Sequence, residues 1–522
     1  MAKIEVYRTH IEIHDYRPGD SRSIERKFGV YDYIYHRVVP KGRYYDPDTL
    51  TLYLPRGTSI NYLEKLFGIE AVVKSEHDPI AKVGDIKLRY KPRDNVQQEA
   101  LQFMLSLGKY QNNARHAMLS LNLPTGKGKT YCSITALSYI GYRSIIITNS
   151  NEWLAQWKAF FLEYTDIQSD EIYYISGTPT LMKLYNRDIS KYKVVLCTHA
   201  TLKSYASRNG WNAVHEFFKY MQFGVKIYDE AHLNFDNMFM IDCFTNTWLT
   251  YYVTATPSRS NEDEDIIYRG YFDNVPSISL FDSEVDPHTT YVGIRFNSNP
   301  NPMQISECKN AYGMDRNKYT SYLVGQENFY KMLRILLDMA IKKGGKHLFY
   351  IGTNEAILIV KDWIYKNYPE LVGQIGIFTT LTKSEDKKSQ LDKMIILSTT
   401  KSAGAAVDIP DLVETVVLAE PFKSKVLAQQ TFGRTRAANT TYKDIVDTGF
   451  FFTKRFYEQK KPVFMKYATE CKEVTIRNDE LDKRSNSIRE FHDSKIQPMK
   501  FFETRESSYL IDPIESLDES EN

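Results

Sequence analysis

Residues 123–130 read LPTGKGKT, after the apolar run AMLSLNL and before the helical stretch YCSITALSYI. Gly126 and Gly128 let the backbone curl so that successive N–H groups face phosphate oxygens. Lys129 has the reach to neutralise β and γ phosphates, and the Thr130 hydroxyl suits Mg²⁺. The loop Pro124, Thr125, Gly126, Lys127, Gly128, Lys129, Thr130 is therefore expected to hold a nucleoside triphosphate, although Leu123 stands where the general pattern has glycine. Further on, VKIYD ends in Asp229, followed by Glu230, Ala231 and His232. Carboxylates at the carboxyl end of a parallel strand lie where ligands gather. Asp229 would hold the metal, usually through water, and Glu230 would orient and deprotonate the water attacking the γ-phosphate.

Positioning these residues takes parallel sheets. AMLSLNL, SIIIT, VVLCT, VKIYD and TYYVTAT are short apolar strands separated by helical segments, and the same rhythm returns as HLFYI, IGIF, MIILST and ETVVLA. The fold expected is α/β, two RecA-like parallel-sheet motor domains in tandem. A small α+β unit precedes them, with alternation at Ile4, Val6, Ile11 and Ile13 and again at Leu50, Leu52 and Leu54. Thr58 or Ser59 caps a short helix carrying Ile60, Leu63 and Phe67, and Gly68 ends it. The expected boundaries are 1–90 for this accessory unit and 91–258 for the first motor domain. An inter-domain connection with insertions would fill 259–325, the second motor domain and its extension 326–500, and an acidic, unfolded tail 501–522.

The chain of 522 residues, 42% hydrophobic, exceeds what one core usually serves. A net charge of +2 does not by itself announce a nucleic-acid partner. Cys132, Cys197, Cys243, Cys308 and Cys471 are scattered singly, offering neither a zinc pair nor a disulfide framework, which fits a reducing cytoplasm. His10, His14 and His36 show no metal-ligand spacing. No stretch reaches the roughly 18 apolar residues of a membrane span, so a soluble, unexported protein without a membrane partner is expected. Arg37, Lys41, Arg43, Tyr44 and Tyr45, and the basic residues Lys454, Arg455, Lys460, Lys461 and Lys466 beside Phe456, Tyr457 and Phe464, read equally as nucleic-acid tracks or as ordinary surface.

LPTGKGKT, DEAH and Thr254-Ala255-Thr256-Pro257 together resemble the ordered motifs of superfamily 2 helicases and translocases. Within it, the small α+β unit before the motor is similar in layout to the UvsW-type branch-migration helicases of tailed phages. The resemblance implies that Gln97 reads adenine and that Thr254 and Thr256 couple hydrolysis to motion with His232 as partner. Residues 145–157 and Thr198 would contact a strand. IILSTTKSAGAAVDIP resembles the motif touching both nucleotide and nucleic acid, with Thr400, Gly404 and Asp408 in matching places and Ala406 replacing a glycine. Gln430-Thr431-Phe432-Gly433-Arg434-Thr435-Arg436 resembles the arginine-finger motif, whose guanidinium reaches transition-state phosphate charge. The second arginine follows at two residues and not three, so the finger is Arg434 or Arg436.

The expectation is an ATP- and Mg²⁺-dependent DNA helicase, a monomer that unwinds or branch-migrates forked, branched or duplex DNA in replication, recombination or repair. It would work in the bacterial host cytoplasm if the protein is a phage's. An RNA helicase and a duplex translocase of a restriction system are the alternatives, since paired motor domains grip mainly the sugar-phosphate backbone. An ATP-sensing module without turnover is disfavoured by the intact Glu230.

Overall fold

The computed structural model describes residues 3–32, 36–105, 117–123, 126–255, 262–280, 289–311, 313–383, 386–403, 409–433 and 439–495. Pro124, Thr125, Thr256, Gly404, Asp408, Arg434, Arg436 and the expected tail 501–522 lie outside them.

Two seven-stranded sheets dominate the chain, and in each every strand pair is parallel. Across the first sheet the strands run Ile172–Tyr174, Val194–Thr198, Ser144–Thr148, Val225–Asp229, Leu249–Thr254, Met118–Asn122, Ser277–Ser279. Across the second they run Ile375–Phe378, Ile395–Ser398, Lys346–Ile351, Leu412–Ala419, Thr440–Asp447, Thr289–Phe296, Glu470–Thr475. Numbered along the chain within each sheet, both orders are 3-4-2-5-6-1-7, so the two halves share one topology without evident sequence repetition. Strands such as SIIIT and VVLCT are buried along their whole length because helices cover both faces, which explains their unbroken apolar runs.

The segment 259–325, expected as connection and insertions, supplies the last strand of the first sheet, Ser277–Ser279, and the first strand of the second, Thr289–Phe296. Its abundance of Asn, Pro and Asp hid these strands. The second sheet therefore starts well before residue 326.

The N-terminal unit is a five-stranded sheet ordered Tyr44–Asp46, Thr51–Pro55, His10–His14, Lys3–Val6, Ala71–Val73. Leu50, expected in a strand, instead takes a left-handed conformation just before one, with φ +49°. The helix Ile60–Phe67 starts and stops as its sequence dictates: Ser59 accepts the Tyr62 amide, and Gly68 turns out at φ +67°. Folding also brings ligand atoms of Glu5, Glu12 and His14 within 4.8 Å of one another, a grouping that sequence spacing did not suggest. Lys3 and Lys74 pair with that Glu5, so its charge is already met by protein cations.

This unit shares one continuous apolar core with a face of the first parallel sheet, running from Ile4, Val6 and Leu54 to Phe235, Phe239 and Tyr252. Arg8 bonds the Trp248 carbonyl through Nε and Nη2 (3.2 and 2.7 Å) and the Ser75 carbonyl through Nη1 (3.0 Å). The Thr9 hydroxyl lies 2.8 Å from the carbonyl oxygens of both Asp242 and Thr245, which share its one proton. Beneath lies a buried polar hub in which Asp242 accepts from Lys226 (2.5 Å), Tyr228 (2.8 Å), Tyr252 and Tyr271. A buried charge is tolerable only when so fully partnered.

Candidate nucleotide site and inter-sheet contact

The glycine-rich turn leaves strand Met118–Asn122 and opens helix Lys129–Ile140. Gly126 and Gly128 sit at φ +85° and +90°, where a side chain is strained, and a Cβ on Gly128 would collide with Gln97 Nε2. The loop is thus a cradle shaped by the absence of side chains. Gln97 is buried beside it, accepting the Arg93 amide at 2.8 Å and donating to the Lys127 carbonyl at 3.4 Å. These bonds make Gln97 a brace of the loop.

Asp229 ends strand Val225–Asp229 in the same sheet. Glu230 follows at φ +50°, an unfavourable conformation for a residue with a Cβ, and the turn swings its carboxylate toward the loop. Glu230 Oε1 lies 3.2 Å from Lys129 Nζ. Its Oε2 accepts the Ala255 amide at 3.3 Å and the Thr254 hydroxyl at 3.4 Å. Burial works against ionisation of Glu230, but the Lys129 charge, His232 and the Ala255 amide together outweigh it and hold the carboxyl below its ordinary range. Asp229 goes the other way: burial, then the neighbouring Glu230 charge, raise it. Its Oδ2 accepts the indole N–H of Trp157 at 2.8 Å.

The donor set fits a magnesium nucleotide. Thr130 opens the helix next to Lys129, and with Asp229 it offers hard oxygen ligands, the type Mg²⁺ prefers.

From His232, Nδ1 lies 2.7 Å from the Thr254 hydroxyl, and Nε2 lies 2.9 Å from the side-chain nitrogen of Gln430, on helix Lys425–Phe432 beyond the second sheet's strand Leu412–Ala419. Gln429 reaches the Ala255 carbonyl at 3.5 Å. A second bridge joins Lys387 to Glu152 at 3.0 Å. The structure thus brings Lys129, Glu230, His232, Thr254 and Gln430 together.

Thr198 and Thr400 are placed differently. Thr198 caps helix His199–Asn209, accepting the Thr201 amide at 3.1 Å, and is buried. Thr400, also buried, gives its amide (2.8 Å) and its hydroxyl to Glu420. Glu420 was not singled out from sequence, although it directly follows ETVVLA, at the carboxyl end of a parallel strand. Trp157 was seen only as the end of a loosely matching motif.

Of the basic tracks, Lys460 is buried against Asp444 (2.8 Å) and Lys461 pairs with Glu473. Lys41 bonds Asp236 at 2.5 Å, while Tyr44 and Tyr45 pack on the shared core. These five side chains hold the fold together. Lys454, Arg455 and Lys466 are exposed.

Residues 89–259 match the family model described as the type III restriction enzyme, res subunit. The chain is 23% identical over 381 residues to transcript termination protein A18 of Yaba-like disease virus, covering 67% of this chain and 74% of that protein. It is 29% identical over 133 residues to the general transcription and DNA repair factor IIH helicase/translocase subunit XPB of Enterocytozoon bieneusi, covering 25% of this chain and 22% of that one. The crystal structure of T4 UvsW aligns over 91% of this chain and 99% of its own, with a TM-score of 0.36 and 15% identity. Among the described residues no helix is long and apolar enough to cross a membrane.

Proposed function

We propose that this chain, a superfamily 2 helicase-type motor that hydrolyses ATP, runs on DNA and uses its N-terminal unit to work on forked or branched duplexes. The observation that carries the reading is the hydrogen-bonded path from Gln430 through His232 and Thr254 to Glu230, which ties the seating of the second sheet to the carboxylate at the phosphate loop. Lys129 binds the β and γ phosphates, which frees Glu230 from its ion pair to act on water. Thr130 and Asp229 would hold Mg²⁺, whose charge would screen the phosphates. Gln97, Pro124, Thr125, Gly126, Lys127 and Gly128 complete the nucleotide's cradle, with Gly404, Asp408 and an arginine finger, Arg434 or Arg436, meeting it from the second half.

DNA is favoured because the relative whose name includes helicase/translocase is named for DNA repair, and a second short match is named a putative DNA 3'-5' helicase Rad25. The accessory unit supports the branched-substrate reading. A motor pulling one backbone without a steering element lets the duplex simply follow. Here that element shares a core with the first sheet, so it would move rigidly with it. A second reading rests on A18, whose name is that of a transcript termination protein and whose match spans two thirds of this chain. In that reading the motor displaces RNA paired to DNA.

ATPase rate and strand displacement measured at one fixed salt concentration with single-stranded DNA, duplex DNA, four-way junctions, RNA and RNA–DNA hybrids separate these readings. The branched-DNA reading expects junctions to be unwound best. Preference for RNA or for hybrids overturns it.

A further inference from the structure

Trp157 sits on helix Asn151–Tyr164 and is buried, packed beside Phe161. An indole has one polar atom, a donor, and burying it without a partner is costly. Here that donor goes to Asp229 Oδ2 at 2.8 Å. Asp229 has torsional freedom about its terminal bond, and the indole's hold on Oδ2 sets where Oδ1 lies. The geometry points to Trp157 as the residue that positions the metal-holding carboxylate, an inference that rests on Asp229 holding Mg²⁺.

The chemistry of such an arrangement is familiar from metal sites generally. A donor bonded to one oxygen of a ligating carboxylate orients the other and lowers the entropy lost when the ion binds. It also favours the charged form of Asp229, opposing the burial that raises it. Trp157 is therefore a positioning residue, acting through Asp229.

The same helix carries Glu152, bonded at 3.0 Å to Lys387 of the second half. Glu152 and Trp157 lie only about 7.5 Å apart along the helix axis. One helix thus carries, little more than a turn apart, an inter-sheet ion pair and the indole that bonds Asp229.

The test is Trp157→Phe, which keeps an aromatic ring and deletes the donor, in the full chain. Binding of a fluorescent, non-hydrolysable ATP analogue is titrated with Mg²⁺ and compared with binding of the same analogue in EDTA. The half-saturating Mg²⁺ concentration should rise roughly tenfold or more, with affinity in EDTA unchanged. An unchanged Mg²⁺ midpoint overturns the inference, as does an equal loss in EDTA, which marks a packing role. Asp229→Asn serves as control: if it leaves the midpoint unmoved, the assignment of the metal to Asp229 fails first. Should Trp157→Phe not fold, the unsubstituted protein with ¹⁵N-indole label decides. Its Trp157 N–H resonance, identified by eliminating Trp153, Trp211, Trp248 and Trp363 through single Phe variants, should move on adding Mg²⁺ to the analogue complex. A resonance that stays fixed overturns the inference.

Discussion

Gln430 Nε2 lies 2.9 Å from His232 Nε2, a hydrogen bond between residues 198 positions apart that joins the two parallel-sheet halves. The direction of this bond orders the rest. An amide nitrogen has only protons to give, so His232 Nε2 accepts and the ring proton sits on Nδ1. Nδ1 then donates to the Thr254 hydroxyl 2.7 Å away, leaving that hydroxyl's own proton for Glu230 Oε2 at 3.4 Å. Four side chains form one directional row, ending on the carboxylate that pairs with Lys129.

If this row transmits the closing of the halves to the nucleotide, His232 and Gln430 act as a unit. Alanine at either position should lower nucleic-acid-stimulated kcat by about the same factor, and the double variant should be little worse than the single ones. The coupling measured in that cycle should be about 1 kcal/mol or more. Simple additivity of the two losses would show that the contact transmits nothing.

Lys129→Ala should abolish hydrolysis and strand displacement in a folded protein, because the β and γ phosphates lose their cation. Glu230→Gln should bind ATP and turn it over poorly, since the amide cannot take a proton from water. Equilibrium binding beside steady-state rates checks both. A collapse of ATP affinity in the Glu230 variant would assign that residue to binding instead.

Stability should respond to pH through Glu420. Burial pushes its carboxyl from 4.5 up to about 7, while its bonds from Thr400 pull only partly the other way. A carboxyl raised on folding adds stability that is fully present below about pH 4.5 and is lost as pH rises to about 7, with no further change above. Glu420→Gln, which keeps an acceptor for Thr400, should remove this component. Between pH 5 and 7.5 the wild-type Tm should fall by about 3 °C more than that of the variant. Parallel Tm–pH curves would refute it.

Lys226 is buried with Asp242 at 2.5 Å and with the Thr245 hydroxyl at 2.6 Å. Lys226→Met should destabilise the first sheet and the N-terminal unit together, by about 3 kcal/mol or more, because Asp242 is left as a buried, uncompensated charge. Chemical denaturation followed by tryptophan fluorescence reads this. A variant double, Lys226→Met with Asp242→Leu, should recover part of the loss. No recovery would mean that shape, and not charge, governs the hub.

Local signals were enough for the glycine-rich turn, the turn after Asp229, the Gly68 stop with a cap narrowed to Thr58 or Ser59, and most strands of both sheets. Each depends on a few neighbouring residues: glycines that permit positive φ, a hydroxyl that caps a helix, a run of β-branched side chains that suits a strand buried on both faces. Composition concealed Ser277–Ser279 and Thr289–Phe296, whose surroundings look like linker, and only their sheet neighbours make them strands. Pairing between distant side chains had no local signature. Nothing in AQW says that Trp157 meets Asp229, nor in QQTF that Gln430 meets His232, because many donors and acceptors along the chain are chemically equivalent partners. Charge was equally ambiguous: Lys460 and Lys461 read as a possible nucleic-acid track, and the structure instead buries Lys460 beside Asp444 and pairs Lys461 with Glu473 at the surface. Sequence pointed to the chemistry the first half could carry, since its candidate residues sit in single turns. Tertiary structure decided which groups face one another, because the desolvation and geometry that make a polar contact worthwhile exist only once the sheets have packed.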